Sequence, residues 1–107
     1  MSDDPLNWLA GWFLSQCNSQ WEHGDGVVIE TLDNPGWTIK IALRGTGLER
    51  RPFETLEHGE PNEDLHEWQQ NGSWWIIRKT DEHFVAMCGP LDLPRVVQII
   101  RAWAEAS

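Results

Sequence analysis

The chain has 107 residues, of which 17 are Asp or Glu and 8 are Lys or Arg, so its formal net charge at pH 7 is -9. A chain of this length can bury a modest core of its own, and residues 1–107 are expected to form a single domain. The acid excess argues against nucleic acids and anionic membranes as partners, since both attract basic surfaces, and no stretch approaches the roughly 20 apolar residues of a membrane helix.

The first predicted element is a helix that begins after Asp4. Asp4 suits the N-cap, and Pro5 suits the first helical position. Trp8 and Trp12 are expected to shield the edge of the buried face or to point outward, and the polar stretch 18–26 ends the helix. The apolar residues that recur at helical spacing and predict the buried face are Leu6, Leu9, Ala10, Phe13, Leu14 and Cys17.

A β-hairpin is predicted next. Val27–Leu32 is rich in β-branched residues, and residues 37–44 alternate between apolar and polar side chains, as in a half-buried strand. The Asp-Asn-Pro-Gly sequence between them predicts a type II turn, in which Gly36 adopts a positive φ.

The remaining strands follow with short connections. Residues 51–57 are predicted as a short third strand, and residues 74–79 and 83–88 as two further strands. Between the third and fourth strands, residues 57–67 contain five acids and no Lys or Arg, which indicates a solvated loop. Consecutive strands with short links predict an antiparallel sheet.

A second helix is predicted at the C-terminal end, with Asp92 as its cap. Its apolar stripe is made by Leu93, Val96, Val97, Ile100, Trp103 and Ala104. The predicted fold class is therefore α+β: an antiparallel sheet of about five strands, with an N-terminal and a C-terminal helix packed on one face. The beginning of the chain has neither a basic region nor a long apolar run, so we expect no signal peptide and a cytoplasmic location.

The segment WEHGDG, residues 21–26, is the first candidate for chemistry. Glu22, His23 and Asp25 are residue types that serve acid–base catalysis or bind metals, but their spacing matches no established metal motif. Gly24 and Gly26 suit a tight exit from a helix into a strand. A structural role is favoured, and we expect no catalytic residue, no metal and no cofactor; a small enzyme using Glu22 and His23 is the alternative.

The acidic stretch 57–67 is the second candidate. A negative surface speeds encounter with a basic protein, although His58 and His66, which flank the stretch, could also bind a metal adventitiously. Adjacent Trp74 and Trp75 should point to opposite faces of their strand, one into the core and one towards the less covered face as an apolar anchor. The predicted partner-binding residues are Asp25, Glu57, Glu60, Glu63, Asp64, Glu67, Trp74 and Trp75.

Residues 21–37, WEHGDGVVIETLDNPGW, resemble the immunity protein 53 family of bacterial polymorphic toxin systems. The resemblance extends over nearly the whole chain but is diffuse after Leu43, and the acidic stretch has no counterpart in the pattern. It implies an antidote, encoded beside a toxin, that binds the toxin domain and blocks it. The matching positions are Trp21, Glu22, His23, Gly26, Ile29, Thr31, Leu32, Asp33, Asn34, Pro35, Gly36 and Trp37.

These observations predict an immunity protein that neutralises a cognate toxin domain by occlusion. Charge complementarity makes a basic nuclease the favoured class of toxin. A general protein-binding adaptor is the second alternative, beside the small enzyme. The resemblance carries no set of contact residues, so the predicted partner-binding residues rest on charge and on the tryptophans alone.

Overall fold

The residues that the structure describes form two helices and a five-stranded antiparallel sheet, which confirms the predicted α+β class. The structure, a computed structural model, describes residues 4–24, 26–33, 35–59 and 73–106. A single 3₁₀ turn at Trp21–His23 connects the first helix to the sheet. The elements in chain order are α1 (Pro5–Gln16), β1 (Val27–Leu32), β2 (Gly36–Ala42), β3 (Leu56–His58), β4 (Trp75–Lys79), β5 (His83–Cys88) and α2 (Leu93–Glu105).

The strands lie in the order β1-β2-β5-β4-β3, with every neighbouring pair antiparallel. Ile39 on the second strand lies opposite Ile29 on one side and Ala86 on the other. Because directly opposed residues share a face, these side chains form one apolar layer beneath the helices. The buried core consists of Leu9, Ile39, Ile41, Leu43, Ile77, Phe84, Ala86, Cys88, Val96, Val97 and Ile100.

The two helices differ in how well their buried face was predicted. On α2, Val96, Val97 and Ile100 are buried as expected. The prediction for α1 was wrong in part, because Trp8 and Trp12 pack against the core while Leu6 is 45% and Leu14 is 71% exposed. An indole ring buries more area than a leucine side chain, so this helix turns its tryptophans inwards. Neither helix of the described residues is long and apolar enough to cross a bilayer.

Residues 51–55 were predicted as part of the third strand. Contacts with aromatic side chains, and not strand pairing, hold this segment in place. The Trp103 indole N–H donates to the carbonyl oxygen of Pro52 at 2.9 Å. The Phe53 ring lies 4.9 Å from the ring of Phe84 and 5.5 Å from that of Trp103. Pro52 has no N–H to donate to a ladder, and regular pairing begins at Leu56.

The hairpin turn differs from the predicted type II turn. Gly36 is the first residue of β2, and its φ is not positive. A Cβ atom at Gly36 would instead collide with the carbonyl oxygen of Cys88 on the neighbouring strand. Glycine is needed here because two backbones approach closely. Asn34, also in the predicted turn, lies outside the described residues.

Candidate functional site

The Trp21–His23 turn is held by hydrogen bonds from the residues that precede it. The Glu22 carboxylate accepts from the backbone N–H of Asn18 at 2.8 Å and of Ser19 at 2.9 Å. The Asn18 side chain accepts in turn from the backbone N–H groups of Gln20 and Trp21. Ser19 has a φ of 77°, a conformation that a non-glycine residue adopts only when its surroundings hold it there. Glu22 therefore closes a loop.

The electrostatics of Glu22 fit this structural role. Hydrogen bonds from backbone N–H groups, its own first and then that of Asn18, lower the pKa of the Glu22 carboxyl, with a smaller contribution from His23. A carboxylate held ionised in this way is a poor proton donor near neutral pH. Within the ranges described, no group of three His, Cys, Asp or Glu side chains could hold a metal ion.

A pocket of about 290 Å³ opens beside this turn, but neither Glu22 nor His23 lines it. An enzyme using these two side chains would bring them into one cleft with a third polar group. The pocket beside the turn does not bring Glu22 and His23 together in this way. The pocket is lined by Gln20, Trp21, Gly24, Ala42, Arg44, Glu82 and His83.

We expect Glu22→Ala to lower the midpoint of thermal unfolding at neutral pH, because Asn18 and Ser19 lose their acceptor. Glu22→Gln should be milder, since the amide oxygen still accepts. A lowered carboxyl pKa contributes stability that is present above the ordinary value of 4.5 and is lost as the pH falls below it. Melting curves between pH 7 and pH 3 test this, and equal acid sensitivity of the parent and Glu22→Gln would contradict it.

The tryptophans of the family motif are structural anchors. The ring of Trp21 lies 5.8 Å from that of Trp12, edge to face, and 5.6 Å from that of Phe13. Its indole nitrogen is buried without a hydrogen-bond partner among the described residues. The Trp37 indole N–H donates to the carbonyl oxygen of Pro90 at 2.9 Å. These contacts fasten α1 to the Trp21–His23 turn, and the segment before α2 to the hairpin.

Most of the acidic residues predicted to bind a partner fall outside the described residues. Glu57 is described and is exposed on β3. Gly26, which follows Asp25, lies at one edge of the sheet, and His58 lies at the opposite edge. The register also places these two residues at opposite ends of their strands. Those outside the described residues are Asp25, Glu60, Glu63, Asp64 and Glu67, together with His66.

The two neighbouring tryptophans have different surroundings. Trp74 precedes β4 and is 3% exposed, so little of its ring lies at the surface. Trp75 is half-buried and lies opposite Cys88, on the face that the helices cover, rather than on the less covered face. Its ring stacks on that of His58, with centroids 4.2 Å apart. Of the pair, Trp75 has more surface available to a partner.

Sequence reasoning missed an apolar surface that lies between α1 and the edge strand β1 and that no other described element covers. A groove of about 310 Å³ runs between them. Its signal in the sequence is α1 itself, PLNWLAGWFLSQ, which has no charged residue and too many apolar ones for a single buried face. The groove is lined by Leu6, Leu9, Ala10, Phe13, Val27 and Ile29.

Comparison with known protein families gives one match. The family model described as Immunity protein 53 matches residues 6–105, which is nearly the whole chain. No curated protein and no solved structure matches the chain. The match begins at the second residue of α1 and covers all five strands of the described fold and the whole of α2. The chain therefore belongs to the immunity protein 53 family.

Proposed function

We propose that this protein, acting as one domain over residues 1–107, binds and neutralises a cognate bacterial toxin domain in the cytoplasm of the cell that makes both. The observation that carries the proposal is the family match over residues 6–105. The protein acts by occlusion: it covers the working surface of the toxin and supplies no catalytic residue. The lowered pKa and the structural hydrogen bonds of Glu22 support this reading over an enzymatic one.

The charge of the chain supports a basic toxin. The formal net charge of -9 favours association with a positively charged protein and speeds the encounter at low salt. A nuclease fits best, because its substrate is polyanionic and its working surface must be basic. We call Glu57, Glu60, Glu63, Asp64 and Glu67 the acidic group, and we assign the electrostatic part of binding to this group and to Asp25. The apolar part is assigned to Trp75 and Trp74.

Calorimetric titration of the protein into the toxin domain encoded beside it tests the proposal. We expect one-to-one binding at low salt and weaker binding at moderate salt, because screening reduces the attraction between exposed charges. Tight binding that is indifferent to salt would leave the antidote function in place and remove its electrostatic part. Absence of binding at both salt concentrations would refute the proposal.

A charge-matched pair of triple variants locates the electrostatic contribution. Glu57, Glu60 and Glu63 changed to Gln should slow association and flatten its salt dependence, with a small effect on dissociation. The control changes Asp81 to Asn and Glu82 and Glu105 to Gln, which removes the same charge; the exposed ion pairs it breaks contribute little to stability. Equal association rates for the two variants in stopped-flow mixing would show that only net charge matters.

A further inference from the structure

Within the described part of the chain, the outer edge of β1 presents backbone groups that pair with no strand. The N–H of Ala42 donates to the carbonyl oxygen of Gly26, directly opposite, at 2.8 Å. In an antiparallel ladder such pairs alternate, so Val28, Glu30 and Leu32 also bond to β2. The N–H and C=O groups of the residues between them point away from β2, and no described strand lies on that side. Those residues are Val27, Ile29 and Thr31.

Among the described residues, this edge has little of the usual protection against further strand pairing, and Glu30 is its one charged side chain. Natural edge strands are short, or carry Lys, Pro or a bulge. The other edge of the sheet, β3, has three residues. By contrast, β1 has six residues, contains neither Lys nor Pro, and pairs with β2 without a bulge.

The apolar groove runs alongside the same edge. Val27 and Ile29 form its wall on the sheet, and Leu6, Leu9, Ala10 and Phe13 form its wall on α1. Leu6 is 45% and Phe13 is 37% exposed. A strand added beside β1 would continue the sheet, and every second side chain would point into this groove. The groove therefore favours an added strand that has apolar side chains at alternate positions.

The charges around the β1 edge determine which side chains suit the positions of an added strand that point away from the groove. Residues 1–39 contain six Asp or Glu and no Lys or Arg, while Lys40 on β2 lies opposite Val28, on the same face as Glu30. On the face of the sheet away from the groove, the exposed Glu30 is the acidic side chain of β1. A strand carrying Lys or Arg on that face would place a cation beside Glu30, which stabilises a cross-strand pair.

We infer that the edge of β1 and the α1 groove are the docking site for one extended segment of the toxin domain, in which apolar and basic side chains alternate. The segment joins the sheet as a sixth strand through the N–H and C=O groups of Val27, Ile29 and Thr31. This inference rests on the proposed function and specifies where the toxin binds. A second copy of this chain is a poorer occupant, since it would bring another acidic edge and no cation to Glu30.

The docking site and Glu57, the described member of the acidic group, lie at opposite edges of the sheet. Four inter-strand spacings, about 19 Å, separate β1 from β3. The acidic group then governs the rate of encounter, whereas the β1 edge holds the toxin once it is bound. Variants in the two places should therefore change different rate constants.

A matched pair of substitutions on α1 tests the groove. Leu6→Glu places a carboxylate inside it, and Leu14→Glu places the same group on an exposed part of the same helix that does not line it. We expect Leu6→Glu to weaken toxin binding about 30-fold or more, mainly through faster dissociation, and Leu14→Glu to change it by less than about threefold. Thermal melts of both variants verify that they are folded.

Hydrogen exchange on the parent protein tests the added strand directly. In the free protein the amides of Ile29 and Thr31 should exchange quickly, while those of Val28 and Glu30, bonded to β2, are protected. Adding the toxin domain, in a catalytically inactivated form, should protect Ile29 and Thr31. This measurement needs no variant, so it remains decisive even if Leu6→Glu fails to fold.

The outcomes separate the two proposals. A complex in which Ile29 and Thr31 still exchange quickly, or in which the two leucine variants bind equally, overturns the docking site and leaves the antidote function intact. If the parent protein does not bind the toxin domain, both fail. Protection of these amides in the free protein, rising with concentration alongside a dimeric mass, would assign the edge to a second copy instead.

Discussion

Replacing Gly36 with valine should lower the free energy of unfolding by about 1–3 kcal/mol or more, the usual cost of forcing extra atoms into a packed site. The added Cβ would collide with the carbonyl oxygen of Cys88, and Leu32 Cδ1 would lie 3.4 Å away. The carbonyl belongs to β5, so it cannot retreat without disturbing the pairing of β5 with β2. Urea denaturation of the variant and the parent measures the difference.

Two controls identify the cause. Gly36→Ala should already be destabilising, because the collision involves Cβ itself. Gly47→Val should fall within about 0.5 kcal/mol of the parent, since a Cβ at Gly47 meets nothing within 4 Å and no positive φ is required there. A Gly36→Ala variant as stable as the parent would refute the close-approach explanation.

Replacing Asp92 with alanine should cost about 1–3 kcal/mol, the penalty for removing the acceptor of a buried donor. Asp92 is 8% exposed. Its carboxylate accepts from the Ser73 hydroxyl at 2.9 Å and from the backbone N–H of Trp74 at 3.0 Å. These bonds fix the chain entering β4 to the first turn of α2, so their loss should loosen both elements. Equilibrium unfolding in urea gives the value.

Two further variants, Asp92→Asn and Ser73→Ala, distinguish the two hydrogen bonds. Asp92→Asn keeps one oxygen acceptor and should recover part of the stability. Ser73→Ala removes only the hydroxyl and should cost less than Asp92→Ala, because it leaves no buried N–H without an acceptor. If Asp92→Ala proved as stable as the parent, the carboxylate would have no part in holding β4 to α2.

The strands with clear alternation were predicted closely, and the positions that depend on close contact were not. Val27–Leu32 and His83–Cys88 were predicted with their observed bounds, because β-branched and alternating residues carry the signal of a strand. Asp92 was predicted correctly as the residue before α2, but its side chain makes no capping bond and instead accepts from Ser73 and Trp74. Sequence spacing does not reveal which donor a carboxylate will find across a fold.

The α1 groove and the edge of β1 were the least predictable parts of the molecule. Helical periodicity placed Leu6 and Leu14 inside, because it weighs apolar residues by spacing and not by size. The structure buries more of Trp8 and Trp12 instead, and that rotation of α1 leaves the groove beside β1 open. The edge position of β1 follows from the strand order, which no local pattern encodes.

An uncovered edge strand beside an apolar groove is also an aggregation hazard whenever the protein is made without its partner. The net charge of -9 opposes that outcome, because two copies repel each other before their edges can meet. The repulsion acts over roughly 10 Å at 0.1 M salt and shortens as salt is added. The acidity of the chain therefore protects the protein against aggregation, because it keeps the β1 edges of two copies apart.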